Sequence, residues 1–236
     1  MIDVGLLVTI VVVLAVPSVF VTPWPPESLP SGLFDASLGA LGVGLVVGRV
    51  TAVALDDPGS VLRLNSLLVI RSGVEFWPGF AAGVMWLTFG ARREHVKVAD
   101  RLAVLAPAGL LSWALFEATC IIRDGCPGPI TSIGIRPHGL ASKMFPVGLV
   151  VAVAAGASAV LIDQFRRRGL RSAESVVLAV GLMAGIRSVA SVWLPHVGHG
   201  LTRQHEASLV VAGAALATLA ALRIRLRRRR VQLGTS

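Results

Sequence analysis

Stretches of about 20 mostly apolar residues recur along this chain, each long enough to cross roughly 30 Å of hydrocarbon as a helix. Seven are read from the sequence: Val4–Val21, Phe34–Leu55, Phe76–Phe89, Asp100–Ile122, Pro146–Ile162, Glu174–Leu194 and Glu206–Leu222. Phe76–Phe89 is short, and the apolar Leu64–Ile70 before it either extends it or lies in the interface. Hydrophobic residues make up 54% of the chain and charged ones 15%, with a mean hydropathy of +0.76. That is too apolar for one soluble core, and too poor in charge beside the roughly 25% usual in globular domains. A disordered chain, a nucleic-acid binder and a disulfide scaffold are all poor fits. The expectation is an all-α, polytopic membrane protein with seven transmembrane helices in one bundle. Residues 1–236 then form a single integral membrane domain ending in a basic tail, 223–236. The first segment reads as a span rather than a cleaved signal peptide, because Asp3 is the only early charge and no basic n-region precedes it.

The net charge of +9 is a matter of location. Arg92, Arg93 and Lys97 lie between spans three and four. Arg166, Arg167, Arg168 and Arg171 lie between five and six, and Arg223, Arg225 and Arg227 to Arg230 follow the seventh. These clusters hold thirteen of the 22 Lys and Arg, and alternation puts them on one side. The positive-inside rule makes that side cytoplasmic, with the N-terminus outside. The loop Thr22–Gly32 carries no Lys or Arg although it shares that side. The basic tail thus reads as a topology signal and a contact for anionic lipid, with no nucleic-acid partner expected.

Short loops join the spans. Thr22–Ser31 is stiffened by Pro23, Pro25, Pro26 and Pro30. The longest outer loop, Arg123–Phe145, is rich in Gly and Pro and reads as irregular. Cys120 and Cys126 flank its start on the outer side, where they are either a disulfide closing a small loop or two free thiols. Gly44 and Gly48, Gly79 and Gly83, and Gly181 and Gly185 each form a G-x-x-x-G pair, which lets helix backbones approach closely. His196, His199 and His205 cluster in the last outer loop, but no helix or strand is expected there to fix a metal-ligand spacing, so no metal site is expected. Trp24, Trp77 and Trp193 fall near span ends, as in an aromatic belt.

Ionisable groups inside a membrane cost several kcal/mol unless they pair, snorkel or line a cavity. Arg49 lies six residues before the outer end of its span, Glu117 five and Arg187 seven. At 1.5 Å per residue these are depths of about 9, 7 and 10 Å. Glu75 sits at the outer mouth of span three, so all four converge in the outer-leaflet half. Around Arg187, Ala184, Ser188 and Ser191 share one small-residue side, which turns the guanidinium toward protein. The four groups form either an anion site, where Arg grips phosphate or carboxylate bidentately, or a structural ion pair with one arginine snorkelling.

The order of several short runs resembles prolipoprotein diacylglyceryl transferase, a seven-span enzyme of the bacterial inner (plasma) membrane. Val47-Gly48-Arg49-Val50 is similar to the family's G-G-R-I run, and Trp77-Pro78-Gly79-Phe80 to its H-G-G-L. Phe89-Gly90-Ala91-Arg92-Arg93 with Ala106-Pro107 resembles the segment before its G-R-x-G-N-F signature. Gly181 to Arg187 resembles its Y-G-x-x-R helix, and Leu201-Thr202-Arg203-Gln204 its closing T-M-G-Q. The likeness covers roughly residues 33–215 in order and spacing. The chain departs from the pattern at Trp77, Trp113 and Ser191, where the family carries histidine, arginine and glutamate, and it has no tyrosine. The resemblance implies transfer of diacylglyceryl from phosphatidylglycerol to the lipobox cysteine of an exported prolipoprotein, without a cofactor. Of the family's arginines Arg49 and Arg187 match, which implies both beside the departing phosphate; Glu117 or Glu75, neither of them the family's base, would deprotonate the thiol. The expected catalytic residues are Arg187 and Glu117, and the expected phospholipid contacts Arg49, Arg187, Gly79 and Glu75. The partners implied are the phospholipid, a prolipoprotein signal peptide and the membrane. The other reading is a catalytically degenerate paralogue that binds lipid or joins a membrane complex.

Overall fold

The computed structural model describes residues 12, 32–61, 63, 74–122, 128–136, 141–194 and 202–233, the last seven as backbone only. Among them are six long helices: α1 (Leu33–Asp56), α2 (Phe76–Arg93), α3 (Val98–Ala118), α4 (Val147–Arg167), α5 (Ser172–Ser191) and α6 (Arg203–Leu233). Five stretches are long and apolar enough to cross a membrane: Leu33–Asp56, Val98–Ile121, Val147–Arg167, Ser172–Ser191 and Arg203–Leu226. They match five of the seven expected spans. The sixth helix, α2, has 18 residues and spends its last turn on Arg92 and Arg93. The expected span Val4–Val21, apart from Val12, and the apolar Leu64–Ile70 lie outside the described residues.

The packing is that of a protein dissolved in lipid. Alanine dominates the buried apolar positions, from Ala40 through Ala155 and Ala184 to Ala215, while Leu45, Val46, Met85, Val153 and Val210 stand exposed. Where lipid is as apolar as leucine, large side chains gain nothing by turning inward, and small residues let backbones close on each other.

The described residues divide into two compact units, one within Trp24–Leu105 and one within Ala106–Ser236. The division falls within α3, beside Pro107, whose ring removes a helical N–H. In the first unit, α1 and α2 run antiparallel along a glycine seam. A Cβ on Gly44 would sit 2.9 Å from the Gly79 carbonyl oxygen, and one on Gly83 would sit 3.0 Å from that of Ala40. Two of the three G-x-x-x-G pairs therefore pack on each other. The turn after α2 passes through His95 in the left-handed region (φ 57°) and is tied by Arg101, whose Nη1 donates to Glu94 Oε2 at 2.8 Å.

In the second unit, α4 turns through Gly169 (φ 92°) into α5, which packs on both α4 and α6. The pairing of α5 with α6 is antiparallel and anchored at both ends. Glu174 meets Arg223 at 3.3 Å at one end. At the other, Arg187 Nη2 donates to Gln204 Oε1 at 2.9 Å. Between them, a Cβ on Gly181 would lie 3.2 Å from the Ala215 Cβ. The Gly/Pro-rich loop departs from the irregular reading, because Ile130–Ile135 forms a strand, β1, bridged to Met144. The Thr131 N–H donates to the Lys143 carbonyl at 3.0 Å and that of Phe145 to the Pro129 carbonyl at 2.9 Å. Isoleucines at 130, 133 and 135, with Thr131, supply the β-branched character that overrides the flanking glycines and prolines.

Candidate functional site

Four helices of the second unit enclose a cavity of about 120 Å³. The last turns of α3 supply Trp113 and Glu117, and the start of α4 supplies Gly148 and Val151. The end of α5 supplies Arg187 and Ser191, and the first turns of α6 supply Gln204 and Ser208. Liquid water takes about 30 Å³ per molecule, so the space suits a small anionic head group or a few waters. A whole drug-sized ligand needs roughly 300 Å³ or more.

Polar groups in this cavity are arranged in linked pairs. On α3, i,i+4 spacing stacks Trp113 under Glu117, and the indole Nε1–H donates to Glu117 Oε1 at 3.0 Å. Trp113 also faces Arg187, whose Cζ lies 6.0 Å from the indole centroid, the outer limit of a cation–π contact. Arg187 is half-buried, on a helix face with the buried Ala184 and Ser188, while Val189 points outward. Its Nη2 is held by Gln204, which sets the guanidinium plane relative to the cavity. Ser191, one turn further along α5, lies 2.6 Å from His205 Nδ1 through its Oγ.

The cavity wall at α4 depends on a missing side chain. A Cβ on Gly148 would sit 2.9 Å from Cys120 Sγ and 3.3 Å from the Glu117 carbonyl oxygen. Glycine lets the buried end of α3 rest against α4. Cys120 is disulfide-bonded, which resolves the two readings left open for the cysteines. The chain's other cysteine, Cys126, lies outside the described residues.

The residues expected at a phospholipid site fall into two sets. Arg187 and Glu117 line the cavity of the second unit. Arg49, Glu75 and Gly79 gather at one end of the α1–α2 pair in the first. Arg49 is 7% exposed, and the Glu75 N–H donates to the Gly48 carbonyl at 3.0 Å. Gly79 packs its Cα 3.5 Å from where a Gly48 Cβ would be.

His205 is the residue most changed by the structure. Expected in a loop beside His196 and His199, it sits in the first turn of α6 and is buried. The other two histidines lie outside the described residues. The signal that would have placed it is Thr202, an N-cap residue type three positions earlier. The Thr202 hydroxyl accepts from the His205 N–H at 3.2 Å, and its carbonyl accepts from Glu206 at 3.1 Å. Among the described residues, no group of three His, Cys, Asp or Glu is placed to hold a metal ion. No family model matches this chain, and no curated protein does either.

Proposed function

We propose that this chain is a multi-pass protein of the bacterial inner membrane that handles an anionic phospholipid, as a divergent prolipoprotein diacylglyceryl transferase. The observation that carries the reading is a single cavity shared by Arg187, oriented by Gln204, and Glu117. In the proposed topology of seven spans with the N-terminus outside, Glu117 and Arg187 lie about 7 and 10 Å below the outer boundary. A guanidinium held in a protein-lined space at that depth is suited to a lipid phosphate, which matches its planar fork.

In the transfer step, the lipobox thiol gives its proton to the Glu117 carboxylate as its sulfur bonds to the glyceryl carbon. The bond from that carbon to the phosphate oxygen breaks, and its electron pair leaves with glycerol phosphate. Arg187 stabilises the charge on the departing group. In this reading Arg49, Glu75 and Gly79 belong to the phospholipid-binding set, and the signal peptide of the acceptor is a second partner.

Trp113 favours a second reading, a catalytically degenerate paralogue that binds lipid or joins a membrane complex. It stands where the resembled family carries a catalytic arginine, and its indole occupies the Glu117 carboxylate. Complementation of a strain depleted of its own transferase separates the two. Growth sustained by the intact protein and lost with Arg187→Ala, at equal membrane levels, supports transfer. Failure to sustain growth with phosphatidylglycerol binding retained supports the degenerate protein. A chain that neither complements nor binds anionic phospholipid refutes both transfer and lipid binding.

A further inference from the structure

Ser191 lines the cavity, and His205 Nδ1 lies 2.6 Å from its Oγ. The two come from different helices, 14 residues apart, and His205 is 9% exposed. Serine backed by an imidazole nitrogen within hydrogen-bond reach is the arrangement that turns a weak hydroxyl into a nucleophile. Arg187 lies one turn before Ser191 on α5 and lines the same cavity, which places a cation beside any oxyanion formed there.

We infer that Ser191 and His205 are a nucleophile–base pair acting on an acyl ester of the glycerolipid whose phosphate rests on Arg187, an acyl-transfer activity additional to glyceryl transfer. The inference rests on the phospholipid reading for its substrate and on Ser191–His205 geometry for its chemistry. The Nε2–H tautomer leaves Nδ1 as the acceptor. The hydroxyl proton has two acceptors within reach, His205 Nδ1 and the Ser188 carbonyl at 2.7 Å, and rotation about the Cβ–Oγ bond passes it between them.

With the proton toward His205, Ser191 Oγ bonds to the ester carbonyl carbon and the proton moves to Nδ1. The tetrahedral oxyanion collapses, the bond from carbonyl carbon to glyceryl oxygen breaks, and the lysolipid oxygen takes the proton from His205. Water then attacks the acyl-serine, His205 accepts its proton and returns it to Ser191 Oγ, and a fatty acid leaves.

The full-length protein in phosphatidylglycerol nanodiscs is treated with a fluorophosphonate probe, and the adduct is mapped by peptide mass. An adduct on Ser191 is expected, forming on the order of 100-fold more slowly in His205→Asn. Asparagine keeps a hydrogen-bonding atom near the Nδ1 position but cannot accept the proton, so a merely structural contact would leave the labelling rate unchanged. Absence of an adduct in folded protein, or an equal rate in His205→Asn, overturns the pair. Phosphatidylglycerol binding is measured on the same preparation. Binding without labelling overturns the pair and leaves the phospholipid reading intact. Labelling without binding supports the pair and refutes that reading.

Discussion

Replacing Gly79 by alanine tests the claim that the α1–α2 pair is held by backbone approach at glycine. The new Cβ would lie 2.6 Å from the Gly44 carbonyl oxygen, closer than real Cβ atoms come. The contacting atom is backbone and has no rotamer to yield, so the helices themselves must part. Reaching ordinary contact at 3.4 Å opens the seam by about 0.8 Å. A gap of that size forfeits a quarter to a half of each dispersion contact along the seam. Overpacking costs typically about 1–3 kcal/mol, opposed by up to about 1 kcal/mol of helix propensity gained in exchanging glycine for alanine. A net loss of roughly 1–2 kcal/mol is expected, a factor of about 5–30 in the folding equilibrium. Gly42→Ala, on the facing helix α1, is the control, since a Cβ there meets nothing within 4 Å. Stability is measured by detergent-titration unfolding of the purified protein, followed by tryptophan fluorescence. Gly44→Ala in combination with Gly79→Ala costs less than the two singles added, because one parting of the helices relieves both contacts. The reasoning fails if Gly79→Ala is no less stable than Gly42→Ala.

Three further substitutions probe the polar contacts. Gln204→Ala removes the 2.9 Å bond that orients Arg187, and a hydrogen bond to a charged group is worth about 1.5–3 kcal/mol, so phosphatidylglycerol binding is expected to fall about tenfold or more in a vesicle-binding titration. Glu94→Ala leaves Arg101, 2% exposed, without its 2.8 Å carboxylate partner; because Glu94 is itself 40% exposed, the loss in thermal unfolding is nearer 1–2 kcal/mol than the 3–5 of a fully buried pair. Cys120→Ser removes the disulfide, at a chain-entropy cost of about 2 kcal/mol in thermal unfolding, and reduction of the wild type with dithiothreitol is expected to cost a similar free energy.

Most of the architecture was legible in the order of residues. All five spanning helices begin within three residues of their predicted starts, such as Leu33–Asp56 for the expected Phe34–Leu55. Arg187 was legible as an inward-facing cation from Ala184, Ser188 and Ser191 alone. The strand Ile130–Ile135 was hidden because a six-residue segment pairs with residues that follow it, and glycine and proline on either side mask its propensity. His205 was hidden because a histidine beside two others in a glycine-containing run suggests a loop until the Thr202 cap is recognised.

Membrane insertion is decided segment by segment. Each stretch of about 20 residues either repays or fails to repay the transfer of its side chains into hydrocarbon, so composition along the chain determined the class of protein and its helices without reference to any partner. The identity of polar neighbours is a different kind of question. Arg187 meets Gln204 and Ser191 meets His205 only because α5 and α6 are set in one antiparallel register, with Gly181 against Ala215 and Glu174 against Arg223. A one-residue shift turns a helical side chain by about 100° around its axis, so that register is decided by the packing of both helices together.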